Sequence, residues 1–419
     1  MKRDILKMSQ KEWRRYHLLE MVCEGIITLK EASEEMEVSY RQGKRLKKKF
    51  IERGAKGIVH GNRSRISSKR LSEDITKKIL ELSNEKYLNF NDTHFTEKLI
   101  EIEGIKVSRE TVRKIRRSNG IKPKRERRAK RHYKRRERKS QEGMMVLWDG
   151  SLHKWFGSEP VCCLMSAIDD ATGEITSAFF VEYEGTYGYL KLLEGIIREK
   201  GIPITIYQDR HSALKRNDNN WTIEEQLANK QEPTQVGKAL EEIGIRAIFA
   251  LTPQAKGRVE GGFGTLQDRL IAEMKLNNIN KIEEGNKFLK SFFIKDYNKR
   301  FGKKPALKEK AWRKAPKKAE LDKVLSFRYK AVVSNENAVR LGGKVLDILL
   351  GSGNRGYAKA KVDVRQFLDG SWHIYYKGKQ IVKSEPSQLR EPIKAKPRRK
   401  YKAKGTSNDE WAYMTSALA

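Results

Sequence analysis

Three acids in this 419-residue chain stand where a carboxylate could do chemistry. Asp149 closes the strand-like run "MMVLWD" and precedes Gly150, Asp209 closes "IPITIYQD", and Glu260 lies early in the helical run "GRVEGGFGTLQDRL". Carboxylates at strand ends project from the rim of an α/β sheet, whereas in mid-sheet they would be buried at high cost. Three such groups could hold two divalent cations about 3.5–4 Å apart, which activate water and stabilise a leaving oxygen in phosphodiester chemistry. Magnesium suits such a site because it accepts carboxylates while keeping waters and phosphate oxygens, with manganese as the alternative. Taken singly, each acid also reads as a turn or helix-cap residue. Asp169 and Asp170 end an apolar run as well, but the "ATG" that follows is turn chemistry, so they read as hairpin residues. Pattern alone does not choose three acids among 54.

The charge balance says what such a site would act on. With 89 Lys and Arg against 54 Asp and Glu, the formal net charge is +35. A chain this basic meets polyanions, and nucleic acid is the default one, bound largely through counterion release. A ribosome-type or merely solubilising surface is the competing explanation. No run of about 18 apolar residues and no apolar leader is seen, so a soluble cytoplasmic protein without a membrane partner is expected. Cys23, Cys162 and Cys163 have neither metal-ligand spacing nor an evident disulfide partner, which fits a reducing compartment.

The elements that must position the acids begin with helices. "KEWRRYHLLEMVCEG" spaces Trp13, Tyr16, Leu19 and Val22 at three or four residues, "TLKEASEEMEV" follows with Thr28 as its cap, and Ser39 caps "SYRQGKRLKKKFIERG". The last of these carries Arg41, Lys44, Arg45 and Lys48, the pattern of a helix-turn-helix whose third helix enters the major groove (residues 1–55). The alternative is a small bundle with a solvated basic face. A basic linker with Arg63 and Arg65 (56–70) could follow a DNA backbone or minor groove. A second unit (71–121) repeats the scheme: Ser72, Asn91 and Ser108 are its caps, and its last helix carries Arg109, Arg113 and Arg116. Residues 122–142, with Lys124 and Arg128, form a cationic connector that contacts phosphates or serves as a solubilising tether.

From Met144 strand-like runs precede alternating helices and strands, a mixed α/β core with an antiparallel start (143–305). Short alternating strands after Leu325 suggest a small β-barrel (306–391), and 392–419 form a basic tail. The expected class is multidomain, α and α/β.

The ordered segments "LWDGS", "YQDRHS" and "LTPQAKGRVEGGFGTLQDRL", downstream of helix-turn-helix units, resemble the bacterial insertion-sequence transposases of the DDE transposase and retroviral-integrase superfamily, closest to the ISNCY-like group. The resemblance runs to about residue 305, where "YNKRFGKKPA" looks like the integrase-type end of the core. It implies an RNase H-like core with the first acid on the first strand, the second just beyond the fourth and the glutamate on a facing helix. Asp149, Asp209 and Glu260 match those places. It also implies two Mg2+ ions, cleavage and strand transfer at terminal inverted repeats and target DNA, and a homodimer or larger assembly on paired ends. Lys256, Arg258 and Arg269 would then bring phosphates to the metals. Gln208 and His211 flank Asp209 and could orient water or contact DNA, although flanking polar residues are more often incidental. Trp148 and Trp155 read as core aromatics.

This chain departs from the family pattern in three places. Loop 211–235 is longer than in compact integrases, and helix-turn-helix units stand where retroviral integrases have a zinc module. The glycines after Glu260 each weaken a helix by roughly 1 kcal/mol, so that helix is expected to start late or bend. Two rival functions are a catalytically inactive DNA-binding regulator derived from a transposase and an RNase H-type nuclease.

Overall fold

Ser9, Thr28 and Ser39 open the first three helices in the computed structural model, which describes residues 7–59, 63, 71–124, 136–157, 161–216, 221–250, 257–350 and 356–386. The chain divides into two compact units, Met1–Ile79 and Leu80–Ala419. In the first, Ser9 and Glu12 make a capping box ahead of α1 (Gln10–Cys23). Thr28 and Glu31 make another for α2 (Leu29–Glu35), and Ser39 accepts from the Gln42 N–H to open α3 (Tyr40–Arg53). These side chains satisfy amide groups that a helix start leaves without partners. Leu19, Val22, Ala32, Met36, Leu46 and Ile58 form the core, while Trp13 stands in solvent and stacks on His17. The boundary between units falls within α4 (Glu73–Asn84).

The second unit continues with α5 (Asp92–Glu101), capped by Asn91, and α6 (Arg109–Ser118), capped by Ser108. Then come β1 (Met145–His153), β2 (Cys162–Asp169), β3 (Ile175–Val181), α7 (Thr186–Glu199), β4 (Thr205–Gln208), α8 (Ile223–Leu227), α9 (Gln235–Ile243), β5 (Arg246–Phe249) and α10 (Gly257–Leu276). The sheet order is β3-β2-β1-β4-β5; the β3-β2 and β2-β1 contacts are antiparallel, the β1-β4 and β4-β5 contacts parallel. Helices cover both faces. Val146, Trp148 and Ile206 join Leu190, Leu193 and Ile196 of α7 and Leu240 of α9 on one side, and Met145 and Leu147 join Phe263, Leu266 and Leu270 of α10 on the other.

Helix α11 (Ile282–Phe288) runs through a π segment, Leu289–Phe293, into α12 (Ile294–Phe301). Two asparagines on these helices close the outer edge of β3. Asn298 exchanges hydrogen bonds with the main chain of Ile175 at 2.8 and 2.9 Å, and Asn286 does so with Phe180 at 2.6 and 3.0 Å. Helix α13 (Lys318–Val324) then leads to β6 (Phe327–Val332), β7 (Ala338–Leu341), β8 (Lys344–Asp347), β9 (Lys361–Gln366), β10 (Trp372–Tyr376) and β11 (Lys379–Lys383).

Two expectations from the sequence are corrected here. The C-terminal strands do not close a barrel among the described residues: β11-β10-β9-β6 is an open antiparallel sheet, and β7 pairs only with β8. The hairpin lies on the sheet through Val339 and Leu346 against Val364, Trp372 and Ile374, so a second layer rather than closure buries the apolar face. Likewise α10 runs 20 residues without a break through Gly261, Gly262 and Gly264. Its apolar contacts with the sheet outweigh the weak glycine propensity. Among the described residues no helix is long and apolar enough to cross a membrane.

Candidate active site

The pairing of β1 with β4 sets the site. Met145, Val146 and Leu147 lie opposite Thr205, Ile206 and Tyr207 in a parallel register. Continued two residues along the strand direction, the same register brings Asp149 level with Asp209, which lies one residue past β4. Side chains alternate across a strand. Met145, Leu147 and Tyr207 face α10 and Val146, Trp148 and Ile206 face α7, so Asp149 and Asp209 occupy positions on the α10 face. Both are partly exposed, and each accepts a nearby main-chain N–H, Asp149 from Gly150 at 3.1 Å and Asp209 from His211 at 2.9 Å. Beneath them Trp148 Nε1 donates to Gln208 Oε1 at 3.0 Å, a buried bridge that ties the two strands together just before the acids. Gln208 is thus a structural partner of Trp148, and Trp148 and Trp155 are core aromatics, each at most 1% exposed.

A fourth acid stands beside this pair. Glu184, in the turn between β3 and α7, accepts a hydrogen bond from Tyr189 Oη, and its Oε1 lies 3.9 Å from His211 Nδ1. A Cβ on Gly150 would come within 2.7 Å of the Glu184 carboxylate, so the glycine after Asp149 makes room for it. Burial, then the charge and hydrogen bond of Glu184, then Asp149 and Asp209, push the Tyr189 hydroxyl far up. Burial, followed by the Glu184 charge, pushes the Cys163 thiol up to about 12. Sequence reasoning missed Glu184; its signal was an acid two residues before a helix whose tyrosine turns back toward the sheet rim.

Glu260 is the fourth residue of α10, three before the buried Phe263; its side chain lies outside the described residues. The glycines around it divide by face. A Cβ on Gly262 would come within 2.7 Å of Ile168 Cδ1, whereas one on Gly257 or Gly261 would meet nothing within 4 Å. Gly257, Gly261 and Gly264 line a groove of about 620 Å3, which is also bounded by Asn91 and Thr93 at the start of α5. Asp169 and Asp170 occupy the β2–β3 turn, as expected of hairpin residues, but both are fully buried. Asp169 accepts from the N–H groups of Gly143 and Thr172 at 2.9 Å each, and Asp170 accepts from Arg136, Arg258 and the Lys139 N–H. They anchor the end of the basic connector.

The basic residues singled out from sequence fall into four groups. Arg41, Lys44, Arg45 and Lys48 on α3 and Arg109 and Arg113 on α6 are exposed, with Lys48 near Glu52 and Arg113 paired to Glu110. Arg63 is paired with Glu12 and the Lys7 carbonyl, and Lys124 with Asp268. Three more have guanidinium groups committed within the chain. Arg116 is buried against Asp92 at 2.8 Å, Arg258 binds Asp170, and Arg269 is buried against Glu97. Arg65, Arg128 and Lys256 lie outside the described residues.

No family model matches the chain. The transposase y4bF of Sinorhizobium fredii is 31% identical over 381 residues, spanning 90% of this chain and 81% of its own length. The transposase for insertion sequence IS1202 of Streptococcus pneumoniae is 31% identical over an alignment of 440 residues, spanning 93% of this chain and 91% of its own. Among solved structures, a simian T-cell lymphotropic virus intasome in complex with PP2A regulatory subunit B56 gamma aligns with 76% of this chain and 99% of its own, at 14% identity and a TM-score of 0.31. The HTLV-2 integrase catalytic core domain in complex with magnesium covers 36% and 90%, at 16% identity and a TM-score of 0.24.

Proposed function

The chain belongs to the insertion-sequence transposases, and from that premise we propose that it cleaves and joins DNA at the terminal inverted repeats of its own element by the DDE mechanism. The observation that carries this reading is the β1–β4 register, which brings Asp149 and Asp209 level on the face that α10 covers, with Glu260 in the first turns of that helix. The order β3-β2-β1-β4-β5 supports an RNase H-like core. The capped helices α1–α3 and α4–α6, each ending in a basic one, support two helix-turn-helix readers of double-stranded DNA.

The donor set fits a hard cation. Asp149 on β1 and Asp209, one residue past β4, offer carboxylate oxygens, which are hard donors. Among the described residues no three His, Cys, Asp or Glu side chains gather closely enough to hold an ion; Glu260 would supply the third carboxylate. Two Mg2+ ions, when bound there, supply activation of the attacking oxygen, first water and then a 3′-hydroxyl, and stabilisation of the leaving oxygen. The chain's own residues hold the acids: the Trp148–Gln208 bridge fixes the strand spacing, and the Gly150 and His211 N–H groups orient Asp149 and Asp209. Exposed cations of α3 and α6 draw in the phosphate backbone. The protein would act in the bacterial cytoplasm as a homodimer or larger assembly, because two element ends must be joined together.

End-cleavage assays on duplexes carrying the element's inverted repeats test this. Asp149→Asn, Asp209→Asn and Glu260→Gln are each expected to abolish Mg2+-dependent cleavage while leaving end binding intact. Full cleavage by any one of them removes that residue from the mechanism, and no cleavage by the natural protein would favour a DNA-binding regulator.

A further inference from the structure

Helix α10 has two buried faces, and only one of them meets the sheet. On the other, Arg269 binds Glu97 of α5 through two hydrogen bonds, 2.6 and 2.9 Å. Glu273 takes both His94 Nε2 at 2.7 Å and Lys98 Nζ at 2.6 Å, also from α5. Arg269, Glu273, His94 and Lys98 are all at most 7% exposed. Arg300 of α12 adds bonds to Glu97 at 3.2 Å and Glu101 at 2.8 Å. Lys124, just beyond α6, reaches Asp268 of α10 at 2.8 Å. Helix α6 is fixed to α5 in the same way, with Arg116 on Asp92 and the Phe90 carbonyl and Arg117 on Asp92 at 2.6 Å.

These contacts form an unbroken path from the exposed Arg109 and Arg113 of α6, through α5, to the helix that carries Glu260. Apolar surfaces can slide past one another, but buried charges that lose their partners are left stranded in a low dielectric, so such a contact keeps one register. We infer that α5, α6 and the catalytic core form one reading-and-cutting body, in which duplex DNA held by α6 meets the acids at a fixed number of base pairs from the bases it reads. The groove along Gly257, Gly261 and Gly264, open between α5 and α10, is the natural course for the backbone between them. This inference rests on the reading of the acids as a strand-cleaving site. It deepens that reading by making the second helical unit the element that measures where the cut falls.

The test uses the full chain, Mg2+ and duplexes carrying the element's own end. Between the segment that α6 protects and the terminus, base pairs are inserted or removed, and hydroxyl-radical footprint and cut position are both read. A five-base-pair insertion turns the terminus by about half a helical turn. Cleavage at the terminus is then expected to fall by at least about tenfold, since misplacing reacting groups is costly, while the footprint stays on its sequence. Glu97→Arg is expected to lose end-specific cutting with the α6 footprint retained, and the charge swap Glu97→Arg with Arg269→Glu to restore it. Undiminished cutting at the terminus for every spacing would overturn the inference, as would wild-type cutting by the Glu97→Arg protein. If no duplex is cut in Mg2+ although the footprint is intact, it is the strand-cleaving reading that fails. If α6 leaves no footprint on DNA that is cut normally, it is the measuring role that fails.

Discussion

Arg269 and Glu97 face each other as a fork on a fork, with the Arg269 guanidinium also 4.8 Å from the centre of the Phe301 ring. Burial would raise the Glu97 carboxyl, but the hydrogen bonds and charge of Arg269, aided by Arg300, hold it below its ordinary value. Removing one partner of a buried pair leaves the other uncompensated and costs about 3 kcal/mol, whereas replacing both with apolar side chains costs far less. Arg269→Ala is therefore expected to be clearly less stable in urea than the double variant Arg269→Met with Glu97→Leu. Equal losses in the two would show that the pair contributes only packing.

The same contact should come apart in acid. Burial lowers the His94 imidazole more than Glu273 raises it, and Arg269 and Lys98 nearby push the same way. Glu273 is lowered too: burial opposes this, but hydrogen bonds from His94 and Lys98 prevail. Groups lowered on folding bind fewer protons in the native state, so stability is complete above their unfolded values and falls as pH drops through the window below them. The loss begins beneath about pH 6.5 for His94 and beneath about 4.3 for the glutamates. Thermal midpoints measured from pH 7.5 down to 5 should fall, and less steeply in His94→Gln. A midpoint that rises on acidification would contradict the burial of a neutral His94.

Neighbouring glycines of α10 should respond with opposite sign. Gly262→Ala forces Ile168 aside and is expected to cost about 1–3 kcal/mol. Gly261→Ala meets open space and should gain up to about 1 kcal/mol from helix propensity. If DNA follows the groove, the more stable Gly261→Ala protein should nonetheless bind end duplexes more weakly. Denaturation and binding measured on the same preparations separate the two effects.

Arginines on α6 divide in the same manner. Arg113→Ala removes an exposed cation and should lower the slope of log affinity against log salt by about one. Arg116→Ala leaves Asp92 without its buried partner and should destabilise the fold, with binding lost only as the protein unfolds. A changed salt slope in a fully folded Arg116→Ala protein would mark it as a phosphate contact.

Much of this architecture was legible because local chemistry and tertiary structure agree. Thr28, Ser39, Asn91 and Ser108 cap the helices they precede, and Leu190, Leu193 and Ile196 show their period on the face that meets the sheet. The order of strands and helices was readable in the same terms, whereas the three acids were singled out only by the family resemblance. Long-range pairing was not. Arg116, Arg258 and Arg269 look like any other cation in a basic chain, and only the fold brings Asp92, Asp170 and Glu97 to them. Glu184 was hidden because its proximity to Gly150 depends on the turn after β3 reaching β1 across the rim of β2. Barrel closure failed as an expectation because strand spacing says nothing of which edges meet.

The two asparagines on the flank of β3 bear on how copies of the chain can come together. An outer strand with open amide and carbonyl groups invites another chain to extend the sheet. Here Asn286 and Asn298 occupy main-chain positions of Phe180 and Ile175, so that side of the domain is sealed against strand addition. Any copy that added a strand on this edge would first have to displace both asparagines, so joining through β3 carries a cost that joining through helical faces or loops does not.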